Sequence, residues 1–276
     1  MMYTKGEGLP FRKILAVDFE YCGADGELTD VVCMVTQDLQ SGEVSRYWQR
    51  DLLKMKTPPF ETGGDVALIS YFAPAEVQSM LALGWDIDVP VIDLFAEFRC
   101  QTNGNPNVGR KSLIGALQFF ELDHLIPEEK DSMRNLILSG GPWSKPQRSA
   151  ILDYCQQDVV ALGPLLNAML RIAPWSELQF NLALLRGRYM KAVGAMQHRG
   201  IPIDLEFLER LNANWDGIKR KLIEQIDTAF GVYVEGSFKE ALFEAYLSHE
   251  GIPWPRLKSG RLALDRNTFS SMSKRY

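Results

Sequence analysis

Apolar and polar positions change rhythm along this chain. From Arg12 to Trp48 apolar residues come in short dense runs, Ile14-Leu15-Ala16-Val17 and Val31-Val32-Cys33-Met34-Val35 among them, separated by Gly23, Asp25, Gly26, Ser41 and Gly42. Runs bounded by turn residues are the pattern of strands joined by hairpins, and they predict strands over 12–21, 31–37 and 44–49. Ala67–Phe72 predicts a fourth strand, leading through Pro74 into a helix from Ala75 to about Leu83 that Gly84 ends. Val89–Phe95 predicts a further strand passing into a short helix, and the Asn-, Gly- and Pro-rich stretch 101–111 a loop. Beyond it the apolar spacing becomes helical, over 112–120, 128–138, 146–172, 178–198, 205–229, 237–249 and 268–275. Strands with hairpins, then a βα crossing, then helices predict an α/β fold, a mixed sheet flanked by helices and followed by an all-helical tail. Pro174-Trp175-Ser176 marks the boundary between the sheet-containing part, 1–173, and that tail, 174–276.

Composition narrows the class without deciding the function. With 276 residues, 46% hydrophobic and 24% charged, the chain can bury one large core or two modest ones, as soluble globular proteins do. No run approaches the ~20 apolar residues of a membrane helix, and Met1-Met2-Tyr3-Thr4-Lys5-Gly6 is no signal peptide, so no membrane is expected and a cytoplasmic location is. Cys22, Cys33, Cys100 and Cys155 form no Cys-x-x-Cys pair and read as reduced packing residues; His124, His198 and His249 fall outside every motif. The net charge of −5 is uneven: residues 1–173 hold 15 Lys and Arg against 23 Asp and Glu, residues 174–276 hold 15 against 12. An acidic first part suits a metal site better than a broad phosphate-binding surface, so any grip on nucleic acid is local or comes from the basic part.

Asp18 and Glu20 end the first apolar run. On a strand, residues i and i+2 share a face, so the two carboxylates stand side by side and repel unless a cation joins them. Alone, such a pair fits a solvated strand end equally well. In the predicted helix 146–172, Tyr154 and Asp158 are i and i+4 and share a face; alone, they fit a surface pair.

Together, Asp18-Phe19-Glu20 and Tyr154-Cys155-Gln156-Gln157-Asp158 give the chain a pattern that resembles the 3′–5′ exonuclease domain of family A DNA polymerases, in the DEDD superfamily. The variant is the tyrosine one, because Asp153 stands where the histidine variant has His. The resemblance implies a ribonuclease H-like fold and two divalent cations, Mg²⁺ or Mn²⁺, held by Asp18, Glu20, Asp158 and a fourth carboxylate. The family's His-Asn-x-x-Phe-Asp-like stretch falls on Ser70-Tyr71-Phe72-Ala73-Pro74-Ala75-Glu76, which puts Glu76 where Asp is usual and Phe72 where Asn is usual. Asp86 and Asp88 flank a turn, and Asp93 fits a helix N-cap, so none of the three displaces Glu76.

By the same resemblance, Tyr154 orients or deprotonates the attacking water. Phe19 and Tyr21 are candidates to stack on terminal bases, and Arg110 and Lys111 to contact backbone phosphates. The expected partner is a single-stranded DNA 3′ end, with RNA open and a polymerase or replication partner possible. Met196-Gln197-His198-Arg199-Gly200-Ile201-Pro202-Ile203-Asp204 is similar to the segment where exonuclease hands over to polymerase, with Gln197 in place of Glu. No polymerase core motif follows, and the end at Ser273-Lys274-Arg275-Tyr276 reads as that of either a natural short relative or a truncation, with the lean towards the second. A DNA-positioning module with a decayed site, and an RNA-trimming exonuclease like ribonuclease D, are the alternatives.

Overall fold

The computed structural model describes residues 2–3, 9–23, 26–124 and 127–276, so Asp25 of the first predicted turn lies outside the described residues. In chain order, β1 (Met2–Tyr3) precedes β2 (Lys13–Cys22), β3 (Asp30–Asp38), β4 (Val44–Trp48), the short helix α1 (Gln49–Leu52), β5 (Val66–Ser70), α2 (Ala73–Ala82), β6 (Val91–Asp93) and α3 (Leu94–Gln101). There follow α4 (Leu113–Phe119), α5 (Pro127–Leu138), α6 (Lys145–Ile172), β7 (Trp175–Ser176) and α7 (Glu177–Arg199). The last elements are α8 (Leu205–Phe230), the strands β8 (Tyr233–Val234) and β9 (Ser237–Phe238), α9 (Glu240–His249) and α10 (Arg266–Met272).

Five strands form one mixed sheet in the order β4-β3-β2-β5-β6. The hairpin-linked strands β2, β3 and β4 pair antiparallel, while β2–β5 and β5–β6 are parallel. β2 lies at the centre and is buried on both faces, which is why it reads as a continuous apolar run and not as an alternation. Ile14 and Ala16 face a core with Ile151, Cys155 and Val159 of α6. Leu15, Val17 and Phe19 face a second core with Ala73 and Met80 of α2 and with Trp85. The sheet is thus covered on both sides, as the pattern of strands and helices predicts.

The chain divides into two compact units, Met1–Gly200 and Ile201–Tyr276. Helix α7 goes with the first unit because two glycines let it lie almost on the backbone of its neighbours. A Cβ at Gly187 would stand 1.8 Å from the Val91 carbonyl oxygen, and one at Gly194 would stand 2.8 Å from Cβ of Val77. Compactness therefore changes at Gly200, later than the 173/174 boundary that composition suggests, and β7 pairs back with β1.

The second unit is not all-helical. β8 and β9 form a hairpin around Glu235-Gly236, both with positive φ (51° and 75°), and Arg256 bridges Leu262. A two-residue turn with φ positive at both positions matches the twist of the strands it joins. The predicted helix at 237–249 accordingly begins only at Glu240. Val232, Phe243, Leu247 and Leu262 make this unit's own core.

Candidate active site

Three backbone devices converge at one sheet edge. The pairing of β2 with β3 slips between Glu20 and Tyr21, and such an irregularity bends a strand where it leaves the sheet. Asp18 and Glu20 precede that slip and stand on the α6 side. Helix α6 presents Tyr154 and Asp158 one turn apart beneath them. Beyond β5 the chain does not continue as strand to Phe72: this residue turns left-handed (φ 82°, ψ 61°), and α2 begins at once with Pro74 in its first turn. Glu76 then lies in that first turn, 3% exposed.

Asp18, Glu20, Glu76, Tyr154 and Asp158 all line one cleft of about 670 Å³. Ligand atoms of Asp18, Glu20 and Cys155 lie within 4.8 Å of one another. The Cys155 thiol is 3.4 Å from both Oδ2 and the carbonyl oxygen of Asp18. Burial pushes that thiol's pKa well up, so it stays protonated and donates to Asp18.

The carboxylates behave as a crowded group in which negative charge outweighs the nearby Lys130. Burial, and then the charge of Asp158, push Asp18 up to about 7. Glu20 is raised by burial and by Asp18. Glu76 is raised by burial and then by Asp18, Asp93, Glu20 and Asp158. One Glu76 oxygen, Oε2, is buried without a hydrogen-bond partner among the described residues. Burial raises Asp158 too, although Lys130 of α5 opposes it with an ion pair of 2.5 Å to Oδ2. The Tyr154 phenol is raised by burial and by Asp158, and so remains neutral.

Other expected residues sort by what they touch. Phe19, expected as a stacking face, is 4% exposed and packs its ring in the second core, although it also borders the cleft between Asp18 and Glu20. Tyr21 is 39% exposed and lines the cleft. Lys111 also lines it, but its ammonium is 3.2 Å from Oγ1 of Thr102 and lies over the Phe98 ring. Arg110 is exposed outside the lining residues. Asp86 and Asp88 are exposed, and Asp88 lies 3.6 Å from Lys191. Asp93 caps α3, accepting from the Ala96 amide at 2.8 Å, and accepts from the Ala73 amide at 2.7 Å.

Sequence reasoning missed Lys130 and Arg134, which α5 sends into the cleft at i and i+4. Lys130 also lies 5.4 Å above the Tyr154 ring. Their shared helical face was readable; their approach to Asp158 was not, because it is tertiary. The donor set fits hard divalent cations: carboxylate oxygens suit Mg²⁺ or Mn²⁺, and the Glu76 oxygen without a hydrogen-bond partner among the described residues is a donor of that same kind.

No family model matches this sequence, and no curated protein matches it. Solved structures do. One is the apo form of a nuclease, with TM-score 0.50 and 14% identity over 69% of this chain and 86% of that one. The chain has a ribonuclease H-like exonuclease fold. Another is the POL domain of Pol1 from M. smegmatis in complex with DNA primer-template and dNTP, with TM-score 0.55 and 16% identity. That match covers 97% of this chain but 42% of the polymerase chain, so this chain spans less than half of that relative. NrnC from Brucella melitensis aligns at TM-score 0.45 and 13% identity, over 68% of this chain and 85% of its own. Among the described residues, no helix of this chain is long and apolar enough to cross a membrane.

Proposed function

We propose that this chain is a divalent-metal-dependent 3′–5′ exonuclease of the tyrosine DEDD type, removing nucleotides from single-stranded or frayed DNA ends. The observation that carries the reading is the convergence of Asp18, Glu20, Glu76 and Asp158 in one cleft, with a buried Glu76 oxygen left without a partner. A fold keeps such a group only where something binds it, because an unpaired buried carboxylate is strongly unfavourable. Two divalent ions held there would supply a water nucleophile at neutral pH and neutralise the leaving oxygen.

The chain's own groups do the rest. Tyr154 stays protonated and orients the water by hydrogen bonding. Lys130 and Arg134 offer positive charge to the phosphate beside the carboxylates. Tyr21 gives an exposed ring to a base. The acidic first part, poor in basic surface, favours a single strand over a duplex. Residues 1–173 are read as the exonuclease domain and 174–276 as the start of a family A polymerase region, a reading that goes with a cytoplasmic location and leaves a polymerase or replication partner open.

Labelled single-stranded DNA and RNA of one sequence, incubated with Mg²⁺ or Mn²⁺ with and without chelator, test this. Mononucleotides should leave 3′ ends only when metal is present, and faster from single strands than from paired ends. Cleavage that survives chelator, or starts at 5′ ends, refutes the reading; faster loss of RNA moves it to the ribonuclease D-like substrate class. One contact favours a second reading, a DNA-positioning module without catalysis: Lys130 already neutralises Asp158. Binding of single strands with no cleavage under any metal selects it.

A further inference from the structure

Phe72 is at odds with its local surroundings in three ways. Its backbone is left-handed (φ 82°), a conformation that bulky residues rarely adopt. It occupies the N-cap of α2 without supplying a side-chain hydrogen bond, where Asn or Gly suits both the cap and the φ. It is 38% exposed, so core packing does not explain it either.

Its ring is nevertheless held firmly. It meets Phe95 at 5.3 Å and 89°, and Phe95 is braced by Tyr71 at 5.9 Å and by the Arg99 guanidinium at 5.5 Å. Phe72 lines the same cleft as Tyr21 and stands four residues before Glu76. A strained, exposed, braced aromatic ring beside a carboxylate site is a flat apolar surface awaiting a flat apolar ligand.

We propose that Phe72 is the stacking face for the base of the 3′-terminal nucleotide, positioning that nucleotide over the carboxylates without reading its sequence. The proposal rests on the exonuclease reading for its substrate but not on catalysis. Stacking tolerates every base, because each has a π-face.

The test uses a DNA oligonucleotide with 2-aminopurine at its 3′ end and a dye at its 5′ end, with Ca²⁺ replacing Mg²⁺ to fill the oxygen ligands. The full chain should bind it and quench the 2-aminopurine. Phe72→Asn and Phe72→Gly accept a left-handed backbone, so both should melt no lower than the parent. They should bind roughly 5- to 150-fold more weakly, the range set by one base–aromatic stack, and lose the quench. Phe72→Trp should retain it. An oligonucleotide abasic at its 3′ end should lose the same factor on the parent and nothing further on Phe72→Asn. Unchanged quenching in Phe72→Asn, an abasic end bound as tightly as an intact one, or no binding at all overturns the proposal. Quenching without cleavage in Mg²⁺ removes the exonuclease reading and leaves this one standing; cleavage with no response to the base or to Phe72 does the reverse.

Discussion

Two neighbouring turns, β5–α2 and β6–α3, leave the sheet at the same edge, and each buries a carboxylate. In β6–α3, Asp93 is 0% exposed, and both oxygens accept backbone amides, from Ala96 and from Ala73. It starts its own helix and holds the first residue of the other. In β5–α2, Glu76 is as deeply buried, yet one oxygen has no partner among the described residues. Burial lifts both, Asp93 to about 6, but its bonded amides pull Asp93 back while neighbouring carboxylates push Glu76 further up. Depth of burial does not separate these two acids; hydrogen-bond satisfaction does.

The largest effects test that contrast directly. Glu76→Ala should lower cleavage by roughly a thousandfold or more, as loss of a metal ligand removes several kcal/mol of transition-state stabilisation. Without metal, Glu76→Ala should melt no lower than the parent, since it deletes an unpaired buried acid. Asp93→Ala should instead destabilise the fold by about 3 kcal/mol, by losing a cap and orphaning the Ala73 amide. Thermal melts with matched cleavage assays decide. Full activity in Glu76→Ala, or a stable but dead Asp93→Ala, breaks the comparison.

A smaller loss is expected one turn of α6 away. Tyr154→Phe removes only the phenol oxygen, so turnover should fall by roughly 10- to 10⁴-fold, the scale of a positioned acid–base or orienting group. Mn²⁺ affinity by calorimetry should hold. A variant that loses metal would show that Tyr154 supports the helix carrying Asp158 instead of the water.

Much of this was legible in the sequence, for a physical reason. The spacings of Asp18 with Glu20 and of Tyr154 with Asp158 are local periodicities, and such periods fix which side chains share a face. The N-cap role of Asp93 is local as well. What could not be read was tertiary: the bend at Glu20–Tyr21, the left-handed turn at Phe72, and the reach of Lys130 to Asp158. Phe19 serves both sides: it borders the cleft beside Asp18 and Glu20 while its ring packs in the second core, a double placement that strand alternation alone does not reveal. The β8–β9 hairpin carried a signal, Glu-Gly between short apolar runs, hidden by the helical pattern on either side.

Acidity gives a smaller, graded effect. Asp18, Glu20, Glu76 and Asp158 are all raised in the folded chain, so the fold binds protons more tightly than the unfolded chain does. Their contribution to metal-free stability is therefore greatest below the ordinary carboxyl value of about 4 and falls as pH rises through Asp18's value of about 7. Divalent metal needs the deprotonated forms, so its stabilisation should grow over the same window. Melting curves across that range, with chelator and with Mn²⁺, should diverge towards high pH. Parallel curves would mean the carboxylates do not share a cation.

Lys130→Met should give the smallest change and the finest distinction. In the metal-free chain Lys130 bonds the crowded carboxylate of Asp158, and a half-buried charge-assisted hydrogen bond of this kind is worth on the order of 1.5 kcal/mol. Its methylenes can be replaced by methionine, so the variant should lose about that much stability in chelator and little from packing. With saturating Mn²⁺ the difference should vanish, because Asp158 then has another cation and Lys130 is free to turn to phosphate. A stability loss that persists equally with metal would place Lys130 in the scaffold, on the same footing as Asp93.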